Sequence, residues 1–146
     1  MVDIAIKALS PAINDPTTAV QALDQIEDLL IRLGHRQLDI GNYRDDQGAL
    51  RLVVPFPIWD DFLRLALDEV RYCGASSVQV MRRMNALINN LVEVLPATRH
   101  AALRHWEERL QGTVERSFKD ADEKQDASVA DRQGLGIGEE QPGEAK

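Results

Sequence analysis

The fold depends on the ten residues SPAINDPTTA, from Ser10 to Ala19, which separate two apolar stretches of helical period. Pro11 disfavours the helical conformation at the residue before it, so the first helix ends there. Asp15 is placed to cap a second helix whose first residue is Pro16, a position where proline loses no hydrogen bond. We therefore expect a helix, a tight loop and a new helix, and the loop is the first place to look for chemistry.

The composition is that of a small acidic domain. The 146 residues are 44% hydrophobic and 5% aromatic, so we expect one core made mainly of Leu, Ile, Val and Ala. The formal net charge of −7 argues against a nucleic-acid partner, because phosphate contacts need clustered Lys and Arg. Cys73 is the single cysteine, so we expect no internal disulfide and no cysteine-based zinc site.

The sequence lacks two features that would indicate secretion or insertion into a membrane. The first residues lack the pattern of a signal peptide, and no stretch reaches about 18 uninterrupted apolar residues. We therefore expect a soluble, cytoplasmic chain that does not itself insert into a bilayer.

Apolar residues recur at helical spacing through most of the chain. The periodicity predicts helices over residues 2–9, 16–33, 58–73, 77–95 and 97–118. The first begins without a capping residue, so we expect it to start further upstream, and Gly34 is placed for a left-handed C-cap of the second. The apolar face of residues 80–95 is broad, which fits either a central core helix or a surface for self-assembly. The neighbouring pair Arg82 and Arg83 is assigned to a solvated face.

Residues 37–55 change to a period of two. Leu50, Leu52 and Val54 alternate with other residues after the turn-forming stretch 44–48, which predicts a β-hairpin. A lone hairpin is marginal in water, so we expect it to pack on the helices or to pair with another strand.

The last part of the chain is polar. Residues 119–146 contain eight acidic and four basic residues, which predicts a mostly disordered acidic tail. The predicted fold is therefore mainly α. About five amphipathic helices surround one core in a single domain of residues 1–118, with the small hairpin inserted at roughly 37–55.

The loop supplies the candidate ligand-binding residues, which are Asn14, Asp15, Thr17 and Thr18. The first amide groups of the second helix, together with the two hydroxyls, form a site suited to an anion such as phosphate. Asp15 opposes an anion, because it already brings a negative charge to that helix end. The alternative is a plain cap, in which these side chains satisfy local backbone groups.

The evidence for a metal site or a catalytic site elsewhere in the sequence is weaker. Four carboxylates are considered for a metal site or an acid–base pair, namely Asp15, Asp24, Asp68 and Glu69. No spacing among them matches a known oxygen-ligand loop, and acidic residues on amphipathic helices usually form a solvated face. No histidine pair has metal-ligand spacing, and no Gly-x-Ser-x-Gly elbow accompanies a serine. The sequence thus predicts no catalytic residue, no metal ligand and no cofactor.

Two segments carry a family resemblance. Residues 2–19, VDIAIKALSPAINDPTTA, resemble the hallmark of a family of predicted bacterial multi-pass membrane proteins of unknown function. Residues 68–74, DEVRYCG, resemble a second family segment, Asp-x-Ile-Arg-x-Tyr-Gly, with Tyr72 one position early and Cys73 before the glycine. The resemblance implies several N-terminal transmembrane helices and a soluble region whose last part is this chain. It implies no catalytic residue.

The resemblance and the motifs lead to two functional expectations. The first is the soluble C-terminal region of a membrane-anchored protein, acting as an assembly or regulatory module without catalysis. Its partner is a second copy or a membrane segment. The alternative is a small soluble ligand-binding domain or enzyme, with its site at the loop of residues 14–18.

Overall fold

The computed structural model describes residues 1–38 and 40–136. These residues form six α-helices and one antiparallel hairpin, which confirms the prediction of a mainly α fold with a small hairpin. A short 3₁₀ turn, Ala97–Arg99, precedes the fifth helix. In chain order the elements are α1 (Val2–Ala8), α2 (Pro16–Gly34), β1 (Asn42–Arg44), β2 (Leu50–Val53), α3 (Trp59–Cys73), α4 (Val78–Val94), α5 (His100–Ser117) and α6 (Ala121–Ser128).

Helix α4 forms the centre of the core. It begins at Ser77, whose hydroxyl accepts a hydrogen bond from the backbone N–H of Val80 at 3.4 Å, and it packs against α2, α3, α5 and α6. Most of its apolar side chains are buried, Met81, Met84 and Leu87 completely, whereas Val94 near its C-terminal end is 40% exposed. Most of the broad face that suggested self-assembly is therefore covered by other helices of the same chain.

Gly34 has a different role from the predicted one. It is the last residue of α2, and the C-cap is His35 with φ −81° and ψ −7°, so the expected left-handed glycine cap is wrong. A Cβ atom at Gly34 would lie 2.6 Å from both δ-carbons of Leu95. Glycine at this position therefore allows the C-terminal ends of α2 and α4 to approach closely.

The hairpin stands apart from the core. Asn42 pairs with Val53 and Tyr43 with Leu52, and all residues of both strands are exposed. Among the described residues the sheet has only these two strands. The expectation that the hairpin is buried on the helices or paired with another strand is therefore wrong for this part of the chain.

The predicted disordered tail needs a correction. Ala121–Ser128 form α6, which packs on α4 and α5. Arg82 Nε donates to the Asp126 carbonyl at 2.6 Å, and Asn85 Nδ2 donates to the Ala127 carbonyl at 3.0 Å. Polar side chains of α4 thus hold this helix, and apolar periodicity does not reveal such contacts. Residues 137–146 of the predicted tail lie outside the described residues.

Two leucines of α3 provide a matched test of the core. Leu63 is fully buried, whereas Leu65 is 72% exposed. We expect Leu63→Ala to lower the free energy of unfolding by about 2–5 kcal/mol, because it leaves a cavity in the core. Leu65→Ala should change it by less than about 0.5 kcal/mol. Urea unfolding followed by circular dichroism measures both, and equal losses would contradict the assigned inner face of α3.

Candidate functional site

The loop between α1 and α2 closes as a helix cap. The Asp15 carboxylate accepts hydrogen bonds from the Thr18 backbone N–H at 3.1 Å and from the Thr18 hydroxyl at 2.5 Å. The Asp15 backbone N–H donates to the Ala8 carbonyl at 2.8 Å, which ties the end of the loop to the end of α1. Asn14 turns the chain with a φ of 47°, a left-handed conformation that asparagine tolerates.

The electrostatics of this loop favour a cap over an anion site. The hydrogen bond from the Thr18 hydroxyl, followed by that from its backbone N–H, lowers the pKa of Asp15 from its ordinary value of 3.8. The resulting carboxylate occupies the helix start where an external anion would bind. The predicted residues Asn14, Asp15, Thr17 and Thr18 do lie together, and their binding of a ligand stays a prediction.

A buried ionic network joins α2 to α4. The Arg83 side chain is 1% exposed, and its Nε donates to Asp24 Oδ1 at 2.8 Å. Its Nη2 donates to Glu27 Oε2, and the other oxygen of that buried carboxylate accepts from Asn90 Nδ2. The assignment of Arg83 to a solvated face is therefore wrong. Its guanidinium lies inside the protein because α2 supplies two acceptors for it.

The sequence contains part of the signal for this network. Asp24 and Glu27 are three residues apart on α2, and Arg83 and Asn90 are seven apart on α4, so each pair shares one helix face. The missing information is that these two faces meet, which only the packing shows. Breaking one partner of such a pair leaves a buried charge without compensation, and this is costly.

Of the four carboxylates considered above, Asp68 and Glu69 line one surface pocket, whereas Asp15 and Asp24 lie elsewhere. Asp24 pairs with Arg83, whereas Asp68 accepts from Arg71 and Arg109 of α3 and α5. Asp15 is engaged in its cap. Within the described residues no group of three or more His, Cys, Asp or Glu side chains is placed to hold a metal ion.

An apolar groove lies between α1, α2 and α3. Its lining is entirely apolar and includes Met1, Val2, Leu29, Leu33 and Leu65. Leu29 and Leu65 are 51% and 72% exposed, so the groove is open to solvent. Contiguous exposed apolar surface of this kind marks sites of protein or membrane interaction. In the part of the chain that the structure describes, no helix has the length and hydropathy needed to cross a membrane.

The buried network predicts a strong coupling between two substitutions. Glu27→Leu alone should lower the free energy of unfolding by about 3–5 kcal/mol, because Arg83 loses a buried partner. The double variant Glu27→Leu/Arg83→Met should recover much of that loss, since no unpaired charge remains inside. Urea titration measures both. Arg64→Ala, at an exposed ion pair, is the control and should cost less than about 1 kcal/mol. If Glu27→Leu lowers the free energy of unfolding by no more than Arg64→Ala does, the assignment of a buried ion pair between Glu27 and Arg83 would be contradicted.

The cap predicts a pH-dependent effect of Asp15. Its lowered pKa means that the carboxylate stabilises the fold above the ordinary value of 3.8, and that this contribution is lost as the pH falls through the lower folded-state pKa. Asp15→Ala should therefore lower Tm at pH 7, and its difference from wild type should shrink in acid. Asp15→Asn keeps a capping acceptor, so its Tm at pH 7 should lie between those of wild type and Asp15→Ala. An effect of Asp15→Ala that is constant from neutral to acid pH would contradict the charged cap.

The comparisons with known proteins agree with the resemblance seen in the sequence. A family model described as predicted membrane protein (DUF2254) matches residues 1–90. Uncharacterized proteins of Mycobacterium bovis and of two strains of Mycobacterium tuberculosis are each 28% identical to the chain over 125 residues. That alignment covers 85% of this chain and 24% of each relative, so the chain spans about a quarter of their length. No solved structure matches the chain significantly.

The matched region extends from α1 through most of α4. It includes the loop, the groove and all four members of the buried network. Because the family model covers more than half of the chain, the chain belongs to this family of predicted membrane proteins of unknown function.

Proposed function

We propose that this chain is the C-terminal, cytoplasmic module of a longer membrane protein and acts in its assembly or regulation, without catalysis. The apolar groove between α1, α2 and α3 carries the proposal. Family membership supports it, as does the greater length of the mycobacterial relatives, of which the alignment with this chain covers 24%.

The proposed occupant of the groove is a membrane segment of the same longer protein. Met1 and Val2 line the groove, so the N-terminal end of α1 lies beside it. A membrane segment presents apolar side chains, and they match a lining without charged groups. Burying apolar surface contributes about 25 cal/mol per Å², and the exposed parts of Leu29 and Leu65 provide surface of this kind.

The first test is to sequence the DNA upstream of the Met1 codon. We expect the reading frame to stay open through several apolar stretches of about 20 residues each, enough to span a bilayer. A stop codon and a ribosome-binding site immediately before Met1 would contradict the proposal.

The second test uses the longer protein with a protease site inserted before Met1. After cleavage, the wild-type module should sediment with the membranes, because the groove holds it to the membrane segment. The double variant Leu29→Gln/Leu65→Gln should move to the supernatant, as detected by immunoblot. The two residues are 51% and 72% exposed, so the fold should be retained and Tm should change little.

Val94→Gln is the matched control for this experiment. Val94 is also an exposed apolar residue of a helix but does not line the groove, so its variant should still sediment. Release of the wild-type module would contradict a membrane partner. If the released module is a dimer by light scattering, the occupant of the groove is a second copy of this chain and not a membrane segment.

A further inference from the structure

A second pocket lies between α3 and α5 and has a different chemistry. It is lined by Arg71, His105, Glu108, Arg109, Gly112 and Arg116. Three guanidinium groups thus meet one carboxylate in the lining of a pocket, on a chain whose formal net charge is −7. We call this site the arginine pocket. Its local charge is opposite to that of the whole protein.

Asp68, which does not line the pocket, accepts hydrogen bonds from two of these arginines through one carboxylate oxygen. Asp68 Oδ1 accepts from Arg71 Nη2 at 3.1 Å and from Arg109 Nη2 at 2.5 Å. The Arg71 side chain is only 16% exposed, and those of Asp68 and Arg109 are both 31% exposed. A single negative charge therefore balances two partly desolvated positive charges, and an anion in the pocket would compensate the excess.

The two arginines are held in place by further contacts. Arg71 Nη1 donates to Thr113 Oγ1 at 2.8 Å, while Arg71 Nε is buried and has no hydrogen-bond partner in the described residues. The Arg109 guanidinium lies over the Trp106 ring, 4.4 Å from its centroid, in cation–π geometry. Donors fixed in this way lose little conformational freedom when an anion binds.

Gly112 leaves space on the α5 side of the pocket. His105, Arg109, Gly112 and Arg116 follow one another at spacings of four, three and four, so they share one helix face. Glycine destabilises a helix interior relative to alanine. The nearest atoms to a Cβ at Gly112 would be those of the Arg116 guanidinium, beginning at 3.0 Å. Close helix packing therefore does not explain this glycine, whereas an open approach to the arginines does.

We propose that the arginine pocket binds a phosphate group, either on a small molecule or on a lipid headgroup. Guanidinium groups match phosphate oxygens with paired, charge-assisted hydrogen bonds, and the excess of positive charge in the pocket suits an anion. Arg109 and Arg116 are the proposed ligands, and Arg71 is a positioning residue that orients Asp68 and Thr113. Glu108 lies on the exposed rim and limits the affinity for the anion.

The experiment titrates the whole chain with inorganic phosphate and follows amide chemical shifts by NMR. We expect saturable shifts at residues around Gly112. Arg116→Gln should weaken this binding about tenfold or more, which is the usual loss for one charge-assisted hydrogen bond. Arg104→Gln is the matched control, because Arg104 is an exposed arginine of the same helix that does not line the pocket. Its affinity should stay within about twofold of wild type.

A flotation assay distinguishes the two sources of the phosphate. Vesicles of phosphatidylcholine containing phosphatidic acid are compared with vesicles of phosphatidylcholine alone. Flotation with the vesicles that contain phosphatidic acid, and its loss in Arg116→Gln, would assign a lipid headgroup. Saturable binding of inorganic phosphate without any flotation would assign a soluble ligand. Absence of both, or an equal loss in Arg104→Gln, would overturn the proposal. Because Arg116 is exposed, its variant tests the pocket without disturbing the core.

Discussion

The ionic contact between Arg83 and Glu27 is the constraint on which the packing of this chain depends. Two opposite charges that are removed from water must meet in a defined geometry, so they fix how α4 is rotated and shifted against α2. Apolar side chains alone would tolerate several registers between two helices. Asn90 and Asp24 add further hydrogen bonds to the network and leave little freedom for another arrangement.

The parts of the fold that the sequence predicts are those with local causes. Asp15 and Pro16 define the start of α2 through backbone geometry and one capping side chain, and the structure has that cap. Ser77 does the same for α4. The alternating residues around 50–54 predict the hairpin, since a period of two is also a local property of the sequence. In each case the information lies within a few residues of the feature.

The parts that could not be predicted depend on which elements meet. Arg83 resembles an ordinary surface arginine until α2 is known to face it, and Gly34 resembles a C-cap until Leu95 is placed beside it. Helix α6 has a weak apolar period and is held by donors from α4 to its carbonyl groups. The arginine pocket combines residues of α3 and α5 that are about forty positions apart. The spacing of residues along the chain does not predict any of these contacts between elements.

Helix α3 connects the two surface features of the protein. Leu65 lines the apolar groove, and Asp68, less than one turn further on, holds the two arginines of the arginine pocket. The inner side of the same helix is held by the buried side chains of Leu63 and Leu67, and both sites lie along this one helix. An occupant that shifts α3 at one site therefore changes the geometry of the other. Any such coupling between the two sites must be reciprocal, because it is a difference in binding free energy.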